Sequence, residues 1–537
     1  MKRIIFQLCF LVLFAACAQI VSPSGGPKDT KPPKVAKYIP DSAAVNFNAK
    51  KISITFNKFI QLINLSDQLI ISPPMKKEPD IKIIKNKILT IDIKDTLLKN
   101  TTYTINFGNA VADITEGNKM DDFRYVFSTG TYIDSLSLKG KIQNAFDHKT
   151  EKGILVMLYR NTNDSVPCKK TPDYFSKTKA DGTFQIDNIK NGTYKLFALK
   201  DANSNYLYDS PNEMIGFTNK PISIQQNDSV HLELFQALDT TAAYIKKNRS
   251  TQYGKIQIIF NRPLENISVK PLNEKPIIAI EKPSVTNDTL DYWFTGVKAE
   301  SLDLQVRYGN KILDTIHQEL ISKEDAFNPK KKTKIHLFVK ANVQDATLFD
   351  LKQPILLDFS NPISSYDISK IKLTHEKDSI PIKFENAEKY AQQFFISADL
   401  KPDSSYQLYF PAGTFRDIFG LKNDTLKTTF KMQQENYYGT AKLKINIADA
   451  LGDYIVQLMD DKENVLKETI ISGTTVLNYD YLHPGNYKVK LIYDTNKNKI
   501  WDTGNYFKKI QPEKIIYYNA PFTVRSDWDL DLTWNIK

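Results

Sequence analysis

One ten-residue stretch occurs twice in this chain. Gly192-Thr193-Tyr194-Lys195-Leu196-Phe197-Ala198-Leu199-Lys200-Asp201 aligns without gaps to Gly485-Asn486-Tyr487-Lys488-Val489-Lys490-Leu491-Ile492-Tyr493-Asp494, 293 residues later. The offset continues through Asp201-Ala202-Asn203-Ser204-Asn205 against Asp494-Thr495-Asn496-Lys497-Asn498, and Asp209 against Asp502. Upstream, Phe184-Gln185-Ile186 and Ile189 match Leu477-Asn478-Tyr479 and Leu482, and Leu155-Val156-Met157-Leu158 is similar to Ile455-Val456-Gln457-Leu458. A duplication at fixed offset means one unit built twice, and it must be recognised before any element is assigned. The final stretch, Trp528-Asp529-Leu530-Asp531-Leu532-Thr533-Trp534, alternates as a strand with one core face does, which places Trp528 and Trp534 on that face.

A second pattern recurs between these copies. Ile52-Ser53-Ile54-Thr55-Phe56 alternates; Leu89-Thr90-Ile91-Asp92-Ile93, Thr101-Thr102-Tyr103-Thr104-Ile105, Val111-Ala112-Asp113-Ile114 with Gly117, and Phe123-Arg124-Tyr125-Val126-Phe127 follow. The order returns in Leu356-Leu357-Asp358-Phe359, Ser404-Ser405-Tyr406-Gln407-Leu408, Phe415-Arg416-Asp417-Ile418 with Gly420, and Thr428-Thr429-Phe430. A third copy opens with Ile256-Gln257-Ile258-Ile259-Phe260-Asn261 and lacks the later Tyr and Asp signals. Short strands separated by turn residues signal β-sandwiches. With 27 Tyr, 30 Phe and only 20 Gly, the composition favours strands and excludes collagen-like or low-complexity architecture.

The recurring pattern resembles the S-layer-type bacterial Ig-like domain, and that resemblance implies spacer or adhesive modules without catalytic residues. Thr178-Lys179-Ala180-Asp181-Gly182-Thr183-Phe184 resembles the central turn of carboxypeptidase-regulatory-like, transthyretin-like modules; the second copy has Ile471-Ser472-Gly473-Thr474-Thr475 there. The expected fold is all-β, a multi-domain array of Ig-like and transthyretin-like β-sandwiches. Ig-like modules are expected over 34–130, 238–333 and 334–434, and transthyretin-like modules over 131–237 and 435–537.

The first residues carry an address. Met1-Lys2-Arg3 precedes the apolar run Ile4–Ala16, too short to span a bilayer. Leu13-Phe14-Ala15-Ala16-Cys17 resembles the lipobox of bacterial lipoproteins, which implies a leader over 1–16 and a diacylglycerol thioether, with further acylation, on Cys17. Residues 17–33, rich in Pro, Gly and Ser, read as a flexible tether. Multiple acyl chains anchor without a membrane span. The whole chain resembles modular outer-membrane lipoproteins of Gram-negative bacteria, which implies a non-enzymatic scaffold or interaction role. The expected partners are the outer membrane itself and a protein, an outer-membrane β-barrel being one candidate; no acidic run follows Cys17, so the leaflet stays open. Cys168 alone remains for the mature chain, so no internal disulfide forms.

The net charge of +11 is dispersed, apart from Lys330-Lys331-Lys332 with Lys334, which reads as a solvated linker. A nucleic-acid partner, which calls for a basic face interleaved with aromatics, is not expected. No cofactor is required, but both copies of the repeat contain Asp-x-Asn-x-Asn-x-x-x-Asp-x-x-Asn: Asp201, Asn203, Asn205, Asp209, Asn212 and Asp494, Asn496, Asn498, Asp502, Asn505. These fall at positions 1, 3, 5, 9 and 12 of an EF-hand-like loop, so weak Ca2+ binding is one reading, with the Leu207 and Ile500 carbonyls at position 7. Tyr206 and Lys499 stand where that loop has glycine, and Asn stands for the bidentate Glu, which leaves two carboxylates per loop, with Glu213 able to assist the first. An Asx-rich turn is the other reading, and Asp113 and Asp417 read as turn-formers. The six histidines are isolated, and Cys168 beside Lys169-Lys170 reads as an incidental thiol rather than a nucleophile. The alternative function is a carbohydrate-binding or adhesive surface protein using Trp293, Trp501, Trp528 or Trp534 as stacking platforms.

Overall fold

The structure, a computed structural model, describes residues 28–210, 212–237, 242–326, 337–448, 452–519 and 521–536. Cys17 and the Lys330–Lys334 cluster lie outside the described residues. The chain divides into two compact units: Met1–Ala237 with Thr503–Pro512, and Leu238–Asp502 with Glu513–Lys537. Both are built almost wholly from strands. No helix among the described residues is long and apolar enough to cross a membrane.

Three sandwiches share one strand order. In the first, a four-stranded sheet runs Val35–Ile39, Lys51–Phe56, Ile88–Asp92, Asp80–Ile84, and faces Ile70–Ser72, Thr102–Gly108, Phe123–Ser128. In the second, the sheet Ile245–Gln252, Lys255–Phe260, Thr289–Thr295, Ile278–Pro283 faces Ile267–Pro271, Ser301–Tyr308, Lys311–Glu319. In the third, the order is Val339–Ala341, Ile355–Phe359, Gln393–Ser397, Lys383–Asn386, opposite a sheet built on Lys372–His375, Ser405–Phe410 and Leu426–Met432. Taken in chain order these are the ABED and CFG sheets of a constant-type Ig fold. The second sandwich, whose sequence carries only the opening strand of the pattern, has the full set. Its register supplies the core: alternate residues Ile256, Ile258 and Phe260 of one sheet face Leu302, Leu304 and Val306 of the other.

The Tyr signal of the first and third copies has a local cause. The Tyr103 hydroxyl oxygen accepts the N–H of Leu98 at 2.9 Å, and Tyr406 accepts that of Lys401 at 2.8 Å. Each is a tyrosine corner, pinning the chain where it enters its strand. The second sandwich has Leu302 there and buries it completely.

The two repeated modules match strand for strand. Thr183–Ile189, Leu136–Asn144 and Asp228–Leu234 form a three-stranded sheet, as do Thr475–Leu482, Gly439–Ile447 and Asp529–Ile536. In each, the first and last strands pair in parallel, Leu138 opposite Asp228 and Thr440 opposite Asp529. The opposing sheets run Tyr174–Lys177, Leu155–Tyr159, Gly192–Lys200, Met214–Phe217, and Val465–Ile471, Asp453–Met459, Gly485–Asp494, Ile515–Tyr517. The repeated Gly-x-Tyr is again a pin: Tyr194 donates to the Lys190 carbonyl and Tyr487 to that of His483.

Two expectations are corrected. The tether expected over 17–33 stops short of its predicted end: Asp29 pairs with Lys58 at 2.5 Å, and Asn118 donates to the Asp29 carbonyl at 2.7 Å, so the chain is already tied to the first sandwich there. Trp528 is not core-facing. The last strand begins at Asp529, leaving Trp528 between the turn at 526–527 and the strand and half exposed, whereas Trp534 is buried.

Candidate functional site

The Asp/Asn loops leave the long strands Gly192–Lys200 and Gly485–Asp494. Asp201 folds the first loop around itself: its carboxylate accepts the N–H groups of Asn203 (3.2 Å), Ser204 (2.7 Å) and Tyr206 (2.8 Å). Asp494 does the same with Asn498 (3.0 Å) and Lys499 (2.8 Å). The Asn203 and Asn205 amides donate to Asp209 at 3.1 and 2.8 Å, and those of Asn496 and Asn498 to Asp502 at 2.6 and 2.8 Å. Tyr206 (φ +64°) and Lys499 (φ +66°), at the position where glycine was missed, take the left-handed conformation glycine favours. Asp201, Asn203, Asn205 and Asp209 are therefore brought together, as are Asp494, Asn496, Asn498 and Asp502.

Asn212 and Asn505 are not part of these clusters. Asn212 is exposed, and Asn505 exchanges backbone hydrogen bonds with Ile510 at 2.8 and 2.9 Å in a separate turn. The closing position belongs to two glutamates that the offset missed. Glu213, fully buried, accepts from the N–H groups of Ala202 (3.2 Å) and Asp209 (2.9 Å). Glu513 accepts from Thr495 N–H at 2.7 Å and Asp502 N–H at 3.1 Å. The closing carboxylate lies 4 residues after Asp209 in one copy and 11 after Asp502 in the other, so no gap-free alignment pairs the two glutamates. The pairing of Glu213 and Glu513 is legible only from their common role of bridging the loop's two ends.

Every carboxylate in these loops is met by N–H donors. Among the described residues no group of three or more His, Cys, Asp or Glu is placed to hold a metal ion. For a hard cation, the amides of Asn203, Asn205, Asn496 and Asn498 would have to turn their oxygens inward.

Asp113 and Asp417 sit in equivalent turns. Asp113 accepts from the N–H groups of Glu116 (2.7 Å) and Gly117 (3.0 Å), and Asp417 from those of Phe419 (2.9 Å) and Leu421 (2.8 Å). Hydrogen bonds, that of Glu116 first, hold Asp113 below its ordinary pKa, whereas burial pushes Asp417 up. Both side chains are shielded from solvent, beside different neighbours. Lys58 stands 3.6 Å from Asp113, and the amide of Asn361 occupies that place at Asp417. Burial likewise pushes the Cys168 thiol up, against activation as a nucleophile.

Of the tryptophans, Trp293 and Trp534 are buried. Trp501 packs on Ile455, Ile492 and Ile515 and donates to the Glu513 carbonyl at 3.0 Å. Trp528 alone presents half its surface.

No curated protein matches the chain. Among solved structures, the S-layer protein rSbsC(31-844) aligns at 11% identity over 86% of this chain and 65% of its own, with a TM-score of 0.16, so the chain spans just under two thirds of that structure. The Bacteroides ovatus mixed-linkage glucan utilization locus protein SGBP-B, in complex with a mixed-linkage heptasaccharide, aligns at 11% identity over 73% of this chain and 94% of its own, TM-score 0.20. The Bacillus anthracis TIE protein aligns at 9% identity over 96% and 76%, TM-score 0.15. Residues 29–129 match the family model described as a bacterial Ig-like domain.

Proposed function

We propose that this chain is a non-enzymatic, lipid-anchored scaffold or interaction protein of the bacterial outer membrane, held by acylated Cys17 and serving a membrane protein, a β-barrel being the class we favour. The observation that supports this reading is modular. Three sandwiches have the Ig strand order, two further modules duplicate each other strand for strand, and a separate hydrophobic cluster fills each of the five. Such modules offer loops and sheet edges to other molecules while their cores carry the fold. The Asp/Asn loops are, in this proposal, structural turns that take Ca2+ only in the weak, extracellular range.

The test is purification of the tagged protein from detergent-solubilised membranes, beside a Cys17→Ser variant. The expected result is acylated wild type that brings a β-barrel protein with it, and an unacylated variant in the soluble fraction. A wild type without acyl chains, recovered alone, contradicts the proposal.

A carbohydrate-binding role is favoured by one observation, the exposed Trp528 beside acidic side chains. Binding of neutral oligosaccharides that is lost in Trp528→Ala would support it.

A further inference from the structure

The two repeated modules carry the same β-bulge and surround it differently. In the first, Leu136 pairs with Ile189 and Leu138 with Ile186; in the second, Gly439 pairs with Leu482 and Ala441 with Tyr479. The extra residue turns the chain, and the residue before the rejoined pair, Asn188 (φ +58°) or Tyr481 (φ +56°), is left-handed. Asp187 and Asp480 precede these residues and are equivalent. Asp187 receives the guanidinium of Arg124 from the Ig-like sandwich of its own unit, while Gln185 donates to its other oxygen at 2.6 Å. The Asp480 carboxylate has no hydrogen bond or ion pair to any described residue, and its side chain is exposed.

Around Asp480 lies a cavity of about 350 Å³. Tyr438, Tyr481 and Trp528 form its aromatic wall, and Glu435, Asp527 and Asp529 also line it. Gly439 makes the wall possible, because a Cβ there would stand 2.5 Å from the Arg525 carbonyl and 2.9 Å from that of Trp528. The Glu435 carboxylate accepts only the Tyr481 hydroxyl (3.3 Å) and that of Asp529 only the Thr440 hydroxyl; no ion pair to a described residue neutralises any of the four carboxylates. The nearby cations lie on the rings instead, Arg525 over Trp528 at 4.8 Å and Lys352 over Tyr481 at 5.3 Å. In a chain of net charge +11, this is a concentrated acidic spot.

We propose that this pocket is a docking site for an arginine side chain of a partner protein, which would occupy at Asp480 the place Arg124 fills at Asp187. A guanidinium suits it on both counts: its planar fork meets a carboxylate through two N–H groups, and its face stacks on Trp and Tyr rings. The inference rests on the interaction-protein reading above and names the chemistry of one contact in it.

The experiment uses full-length protein in detergent and a fluorescein-labelled peptide with two arginines in a glycine background, read by anisotropy. Peptides with lysine or glutamate in place of arginine are the comparators. The arginine peptide is expected to bind tighter than the lysine peptide, the glutamate peptide to show no binding, and rising salt to weaken the complex. Asp480→Asn and Trp528→Ala should each lower affinity about tenfold, roughly 1.4 kcal/mol. Both side chains are exposed, and an unchanged circular dichroism spectrum keeps folding out of the result. Equal binding of all three peptides, or unchanged affinity in both variants, overturns the pocket. So does oligosaccharide binding lost in Trp528→Ala without arginine-peptide binding, which would assign a sugar subsite. If wild type ignores the peptide while Asp480→Asn still co-purifies its membrane partner, the pocket proposal fails and the scaffold reading stands.

Discussion

The loops that begin at Asp201 and Asp494 are the same object for nine residues and then part. Their aspartates share the N–H groups four and five residues on, their paired asparagines lean on the same second aspartate, and their left-handed residues fall at the same positions. In the first, the chain returns at once to Glu213. In the second, Thr503–Pro512 intervenes before Glu513, and that segment belongs to the unit containing the first copy. There Tyr506 is buried, donates to the Asp164 carbonyl and meets Phe197, Tyr208 and Phe217 edge-on. Gln511 donates to the Phe217 carbonyl at 3.0 Å, and Lys509 pairs with Asp164 at 2.6 Å. Burial raises the Tyr506 phenol well above its ordinary pKa, as expected of a core residue. Two copies of one turn can therefore close with the same carboxylate and differ in what the connection between does.

The largest effect should come from that connection. Tyr506→Ala removes an aromatic side chain from a packed cluster and should cost about 3–5 kcal/mol locally. Hydrogen exchange should then quicken in Gly192–Lys200 and Met214–Phe217. Unchanged protection there would mean the segment is only resting on the surface.

Next come the closing glutamates. Glu213→Gln and Glu513→Gln each replace one buried acceptor oxygen with an amide that cannot receive the same N–H. Each should destabilise its own module by about 1–3 kcal/mol. Equal melting-temperature drops would show the carboxylates equivalent despite their unequal spacing; a drop in only one would break the comparison.

Calcium should matter less. At 10 mM Ca2+ and a millimolar dissociation constant, the expected stabilisation over EDTA is about 1.4 kcal/mol, from RT ln(1 + [L]/Kd). It should be lost in the Glu→Gln variants, and no shift at 10 mM would leave the loops as turns alone.

The smallest effect is one of pH. Lys195 and Lys509 hold the half-exposed Asp164 down to about 2, from an ordinary 3.8. Its contribution is complete above about pH 4 and fades as the pH falls towards 2, because the unfolded chain takes up the proton first. Asp164→Asn should flatten the acid limb of the stability profile over that interval, and an unaltered limb would show solvent screening the group entirely.

The sandwiches were legible where a residue had a local task. Tyr103, Tyr406, Tyr194 and Tyr487 each pin a nearby backbone group, so their spacing from the turn is fixed in sequence. Asp113 and Asp417 were legible as turn-formers for the same reason. The second Ig-like sandwich was faint because its Leu302 serves the core, and core positions accept many apolar residues. The loops were legible up to Asp209 and Asp502, with Glu213 as an assisting carboxylate in the first; Glu513 was hidden because the two glutamates act across unequal connections. Trp528 misled because the alternation begins one residue before the strand, where the backbone is irregular and period two has no meaning.

The central claim is that Cys17 anchors a set of interaction modules to a membrane beside a protein they serve. In-cell crosslinking followed by affinity purification and mass spectrometry tests it most directly. The account predicts an acylated Cys17 peptide and a membrane β-barrel crosslinked to the chain at near-equal amounts, with that crosslink lost in Cys17→Ser. An unacylated protein without such a crosslink would contradict it.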